Sequence, residues 1–312
     1  MSIYLIDNQC NMKEDKKIAA LNVQNVALDA IRNTFRKRGL IEIMPVILST
    51  TTDPLGPDPG SSIIGIPSIE YQGQKLVVTQ SMILQKQIMV SSGIDKIFTV
   101  SPNVRLEHAK SRETGCHLFE FSQVDFEIAR ADMNHIFDLM QETVTEIFQR
   151  VRRDCSEELA LWNRELKVPK KFELHSTESL IERFGTEWEN LASKEAVDPF
   201  WVLNHKREFY DAEDLEKPGS YRNYDLYYPE GFGEALSGGE REWEYERILM
   251  RIKRDGLPIE DFEPYLELAR KGFVPSAGAG FGVERLTRFL VGASHIGDVQ
   301  VFRRVPGEKV II

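Results

Sequence analysis

Cysteine is scarce: 312 residues hold three, Cys10, Cys116 and Cys155, far apart and without a CxxC pair. That excludes a disulfide framework and a zinc knuckle, and a reducing cytoplasm is the compartment that fits. No apolar run approaches the roughly 20 residues that cross a bilayer, and the first residues lack the basic-then-apolar pattern of a leader. No membrane partner is expected. Positive charge is also short, with 39 Lys and Arg against 49 Asp and Glu, a net charge of −10. This argues against a broad nucleic-acid surface and leaves only local basic patches. Repeats, low-complexity tracts and linkers are missing too. The chain therefore reads as one α+β domain around an antiparallel sheet.

What is present is a globular composition, 42% apolar and 28% charged. Residues 17–38 carry Ile18, Leu21, Val26, Ile31 and Phe35 at helical spacing, stopped by Gly39. The strand pattern of 41–48 is interrupted by Pro45, which suits an edge or an interface. A turn-rich loop at 50–68 is too long to be a mere connector. Strands follow near 75–79 and 96–100, with a helix over 81–91 between them. Residues 118–128 alternate as a half-buried strand, and 134–161 read as one long helix. Residues 170–222 are mixed and charged, a possible insertion within the domain. Strands at 223–228 and 232–237 and helices at 241–255 and 260–271 complete the pattern.

Two segments carry chemistry. In 273–292, FVPSAGAGFGVERLTRFLVG, the glycines at 278, 280 and 282 read as a turn behind which a helix begins, with Arg285 at its start. A helix N-terminus favours anions, and a guanidinium grips phosphate in a fork. Taken alone, the segment serves equally as a packing turn. In 103–125, NVRLEHAKSRETGCHLFEFSQVD, two strands flank a polar loop with Arg105, Glu107, Arg112, His117, Glu120 and Phe121. A nucleotide site needs a cation at the α-phosphate, acceptors for the adenine amino group and an aromatic face. Arg105, Glu107 and Phe121 can supply the three. Cys116, in the same loop, has no evident base or orienting partner and reads as incidental.

These residues resemble motif 2 of the class II aminoacyl-tRNA synthetases, in the aspartate and asparagine form. The segment ending in GVER is similar to their motif 3, and Pro45 to the motif 1 proline of their dimer interface. QSMILQKQ (80–87) and GFGEALSGGEREWE (231–244) are similar to their substrate and metal segments. The resemblance implies a homodimer that uses ATP and Mg2+. Arg105 would hold the α-phosphate and Arg285 the γ-phosphate end, as the catalytic cations. Phe121 would stack adenine, with Glu107 and His117 on its polar edges or the phosphate tail, and Gly282 beside the nucleotide. Glu234 and Ser237 match the metal pair, with Asp225 a further candidate. Lys86 and Arg241 match positions that hold the side-chain end of the substrate, flanked by Ser81 and Gly238. Asp53 or Asp58 would pair with the substrate ammonium.

The sequence departs from these synthetases in two places. The motif 1 helix begins near residue 17, which leaves no room for the anticodon-reading barrel, and Ile83 stands where they carry a glutamine. TTDPLGPDP, SPNVRLE, PSAGAG and RVPG resemble the archaeal-type asparagine synthetases, relatives of that family. The resemblance implies activation of aspartate to β-aspartyl-AMP and attack by ammonia, with no tRNA partner expected. No cysteine follows Met1, so free ammonia is the expected nitrogen source. The competing readings are a synthetase relative that charges tRNA or another acceptor, an amide ligase using a different small amine, and an inactive nucleotide-binding paralogue.

Overall fold

The computed structural model describes residues 14–55, 63–214 and 216–310. Eleven strands are named in chain order: β1 (Ile41–Glu42), β2 (Leu48–Ser49), β3 (Ser68–Tyr71), β4 (Gln74–Val78), β5 (Lys96–Val104), β6 (Glu120–Ala129), β7 (Glu173–Ser176), β8 (Phe200–Leu203), β9 (Asn223–Tyr228), β10 (Gly233–Glu240) and β11 (Ser276–Gly282). The helices are α1 (Glu14–Lys37), α2 (Ile83–Ser91), α3 (Met133–Asp154), α4 (Ser156–Leu161), α5 (Thr177–Phe184), α6 (Trp188–Glu195), α7 (Tyr245–Arg254), α8 (Glu263–Gly272) and α9 (Val283–Val291).

An eight-stranded sheet runs β1-β5-β6-β11-β10-β9-β8-β7, antiparallel except for the outermost pairs at each edge. β2, β4 and β3 make a separate small sheet. Pro45 falls between β1 and β2, where the chain leaves one sheet for the other. β7 and β8 come from the 170–222 stretch and continue the main sheet beyond β9.

The period-2 pattern of the central strands sorts their two faces. Phe126 lies opposite Phe98 and Ala279, and Leu236 opposite Phe281. These residues form the core with buried side chains of α1, α3 and α9. Neighbours along the strands therefore face the other way: Asp125 lies opposite Thr99 and Gly280, and Glu127 opposite Gly278. One face of the sheet is greasy, the other polar and glycine-lined.

The buried stripe of α1 is Ala20, Val23, Ala27, Ala30, Ile31 and Phe35, whereas Ile18 is exposed. Alanines let α1 lie close against its helical neighbours, with Val26 half-buried against the same core. The long helix expected over 134–161 breaks at Cys155, whose φ of −126° ends α3 before α4 begins. α3 starts with a capping box, Asp132 accepting from the His135 backbone N–H.

Candidate active site

The glycine segment is the inner strand β11, not a turn. It is hydrogen-bonded on both sides, to β6 and β10, and none of Gly278, Gly280 and Gly282 has positive φ. Their purpose is space. A Cβ on Gly278 would collide with the Glu127 carboxylate and the Phe126 carbonyl oxygen, and one on Gly280 would come within 3.0 Å of Gln123 Nε2. Bare backbone thus lets buried carboxylates on β6 reach across the strand. Gly239 behaves alike: a Cβ there would sit 2.8 Å from Asp211 Oδ1. Gly238, the expected substrate neighbour, points into the core, where a Cβ would strike Ala279 and Tyr224.

Two buried ion pairs rest on this floor. Lys86 donates to Asp125 at 2.8 Å and to the Ala279 carbonyl at 3.1 Å, with side chains 2% and 1% exposed. Ser101 Oγ donates to the other Asp125 oxygen at 2.6 Å. Arg241 lies 3.1 Å from Glu127 and 2.5 Å from Asp211, and donates to the Gly278 carbonyl at 2.9 Å. Burial disfavours its charge, but Glu127 and Asp211 outweigh that and hold it firmly protonated. The two cations expected to wait for a substrate carboxylate are therefore already engaged. A guanidinium and an ammonium this deep require partners, because an unpaired buried charge costs several kcal/mol.

Above the floor, Arg105 lies over the Phe121 ring at 5.2 Å and donates from Nε to the Gln80 carbonyl at 3.1 Å. Glu107 accepts from Ser111 Oγ at 3.3 Å. Arg285, in the first turn of α9 behind Gly282, pairs with Glu234 at 3.3 Å. The strand register shifts between Glu234, which lies opposite Tyr227, and Leu236. Burial alone would raise the pKa of Glu234, yet Arg285, Arg207 and Arg105 together bring it below the usual value. One carboxylate thus senses the arginines from both motif segments.

Asp225 and Ser237 are register partners on the site face. Asp225 Oδ2 is held by Arg207 at 2.5 Å, and its buried Oδ1 has no partner. Among the described residues no three or more His, Cys, Asp or Glu side chains converge into a cation cage. Mg2+ takes hard oxygens and is commonly shared between one or two carboxylates and phosphates. Glu234 and the unpartnered Asp225 oxygen fit that demand.

His117 Nδ1 lies 2.6 Å from Thr114 Oγ1 and 3.6 Å from Cys116 Sγ. Cys116 thus has the orienting partners that the sequence did not reveal. Burial pushes the thiol up, but the His117 contact and the Arg285 charge bring it down to about 6. Ser81 Oγ accepts from the Ile83 N–H at 3.2 Å as α2 begins. Asp53 is buried against Tyr210, while Asp58 lies outside the described residues.

Sequence reasoning missed Asp125, Glu127, Glu208, Tyr210 and Asp211. The first two occupy the polar positions of a strand read as half-buried, where polar suggested solvent. The other three lie in REFYD (207–211), inside the stretch set aside as an insertion. Charged residues interleaved with aromatics in so short a run were the available signal.

The family profile described as tRNA synthetases class II (D, K and N) matches residues 3–306. The asparagine–tRNA ligase of Thermococcus kodakarensis is 28% identical over 97% of this chain and 73% of its own length. The aspartate–tRNA(Asp) ligase of Pyrococcus furiosus is 31% identical over 96% of this chain and 71% of its own. The asparaginyl-tRNA synthetase of Pyrococcus horikoshii, solved with asparaginyl-adenylate, superposes with a TM-score of 0.85 at 27% identity, over 95% of this chain and 70% of that one.

Proposed function

The chain belongs to the class II tRNA synthetases of the D, K and N group, and from that premise we propose that it activates aspartate with ATP and passes the acyl group to ammonia. The products would be asparagine, AMP and pyrophosphate. The fold is the catalytic fold of that class, an α+β domain on an antiparallel-rich sheet, and ATP-dependent ligase chemistry comes with the family.

The observation that carries the reading is the convergence of Arg105, stacked on Phe121, and Arg285, paired with Glu234, over a glycine floor that ends at Lys86 and Arg241. Attack of a carboxylate on an α-phosphorus needs positioning and charge neutralisation far more than covalent help. Arg105 would hold the α-phosphate. Arg285 would release Glu234 and follow the departing pyrophosphate. Phe121 offers its face to adenine, with Glu107 and His117 at the edge. Mg2+, held by Glu234 with Asp225 and Ser237 behind it, would neutralise phosphate charge. Lys86 and Arg241 would direct N–H groups to the far carboxylate of aspartate, in exchange for a carboxylate each now holds.

A homodimer is supported by the apolar residues around Pro45, where Met44 is 83% exposed and Ile41, Val46 and Ile47 are exposed along the same segment.

A second reading, transfer to tRNA, is favoured by the relatives, which are tRNA ligases. Exchange of labelled pyrophosphate into ATP, driven by aspartate or by asparagine and run with and without tRNA, tests the proposal. Aspartate-driven exchange without tRNA is the expected result. Exchange that requires tRNA, or that asparagine drives better, would overturn it.

A further inference from the structure

Asp53 and Glu208 share one hydroxyl. Tyr210 Oη lies 3.1 and 3.2 Å from the Asp53 oxygens and 3.2 Å from Glu208 Oε2. A phenol has one proton to give, so it serves one carboxylate at a time. Both acids are 3% exposed. No Lys, Arg or His among the described residues forms an ion pair with either. The cations nearby are committed elsewhere: Arg241 to Asp211 and Glu127, Arg207 to Asp225, Arg105 to the Gln80 carbonyl, and Arg251 to the Glu208 carbonyl.

Gln80 adds an independent sign. Its Nε2 donates to the Asp53 carbonyl at 2.9 Å, while Oε1 of the same fully buried amide has no partner. Asp53 Oδ1 also takes the Leu55 backbone N–H at 3.1 Å, so two carboxylates and the Gln80 amide oxygen have one hydroxyl and one amide proton among them. Buried acceptors in this excess call for a small cation with several N–H groups. Burial and the charge of Asp53 push Glu208 up to about 8, and burial raises Asp53 as well. A cation bound beside the two acids would hold them ionised, and Glu208 in that state is a stronger base than an ordinary carboxylate.

We propose that Asp53, Glu208 and Gln80 form an ammonium site, and that Glu208 is the base that converts the bound ammonium into the attacking ammonia. This rests on the amide-forming reading above. Ammonium gives one proton to Glu208, and the freed lone pair forms the C–N bond at the acyl carbon. The C–O bond to phosphate breaks and its electron pair leaves with AMP. The adduct's surplus nitrogen proton passes to Asp53. Two protons leave, and two carboxylates stand ready. The anchoring of Arg105, the proposed α-phosphate cation, on Gln80 sets this site beside the acyl phosphate.

The same chemistry suits the α-ammonium of the amino acid, so the test separates the two sources. For wild type and Glu208→Gln, two rates are measured: aspartate-driven pyrophosphate exchange without ammonium, and asparagine formation against ammonium chloride. The ratio of asparagine formation to exchange is expected to fall at least tenfold, with a raised KM for ammonium and partial recovery at higher pH, where free ammonia is more abundant. Tyr210→Phe, which removes the shared proton donor, is expected to lower the KM for ammonium. A raised KM for aspartate in the exchange with an unchanged ratio would assign the site to the α-ammonium and overturn the proposal. Changes below twofold throughout in both variants would also overturn it. Wild type that exchanges but makes no asparagine would instead defeat the amide-forming reading itself, before any variant is made.

Discussion

Arg241 is clamped between Glu127 and Asp211, at 3.1 and 2.5 Å, on the glycine floor of the site. An arginine expected to recognise a carboxylate is thus saturated by two carboxylates of the chain itself. Arg241→Ala would leave both acids buried and unpaired, at a cost of about 3–5 kcal/mol, seen as a lower urea midpoint. Loss of activity in that variant would report folding before recognition. Asp211→Asn is the cleaner probe. It leaves Arg241 a neutral, weaker acceptor on that side while Glu127 keeps the charge paired, and a lower KM for aspartate is the expected outcome.

Two glycines of one segment differ sharply in what they tolerate. Gly278→Ala would drive a methyl into Glu127 and Phe126, and an overpacked buried strand of this kind loses about 1–3 kcal/mol or more. At Gly282 the new methyl would lie against the Arg285 side chain, no nearer than 3.5 Å at Cβ, an ordinary contact. Thermal unfolding is expected to show a large drop for the first and little change for the second.

Phe121 holds Arg105 by its ring face at 5.2 Å. Cation–π contacts contribute about 0.5–2 kcal/mol, and the same ring is the proposed adenine platform. Phe121→Ala is expected to raise the KM for ATP about tenfold and the KM for aspartate much less. Equal rises in both would remove the ring from the nucleotide side.

Glu284 accepts the Ser122 N–H at 3.1 and 3.0 Å, and burial raises its pKa from 4.5 to about 7. Between those values the folded chain holds a proton that the unfolded chain has lost. Its contribution to stability is therefore fully present below pH ~4.5 and fades as pH rises through about 7. Glu284→Gln keeps an acceptor for Ser122 and lacks the titration. Denaturant unfolding from pH 4.5 to 8 is expected to fall less steeply for the variant than for wild type.

The order of strands and helices was legible wherever periodicity was strong, as in 118–128 and in the helices on either side. The expected clustering of Arg105, Phe121, Glu234 and Arg285 followed from short motifs whose spacing survives folding. The glycine segment was misread because small residues at a turn and small residues in a crowded inner strand look alike. Only the strand register shows Gly278 giving way to Glu127. Asp125 and Glu127 were hidden for a related reason: alternation marks two faces, but not that the polar face is roofed over. Asp53 meets Tyr210 and Glu208 across a separation of 157 residues from Tyr210, and no local pattern announces such a meeting.

The central claim is tested most directly by incubating the purified protein with aspartate, Mg-ATP and ammonium chloride, without tRNA, and measuring asparagine and AMP together. Asparagine and AMP appearing in equal amounts, dependent on all three substrates, is the predicted result. ATP turnover without asparagine, or aspartate found on tRNA once tRNA is added, would contradict it.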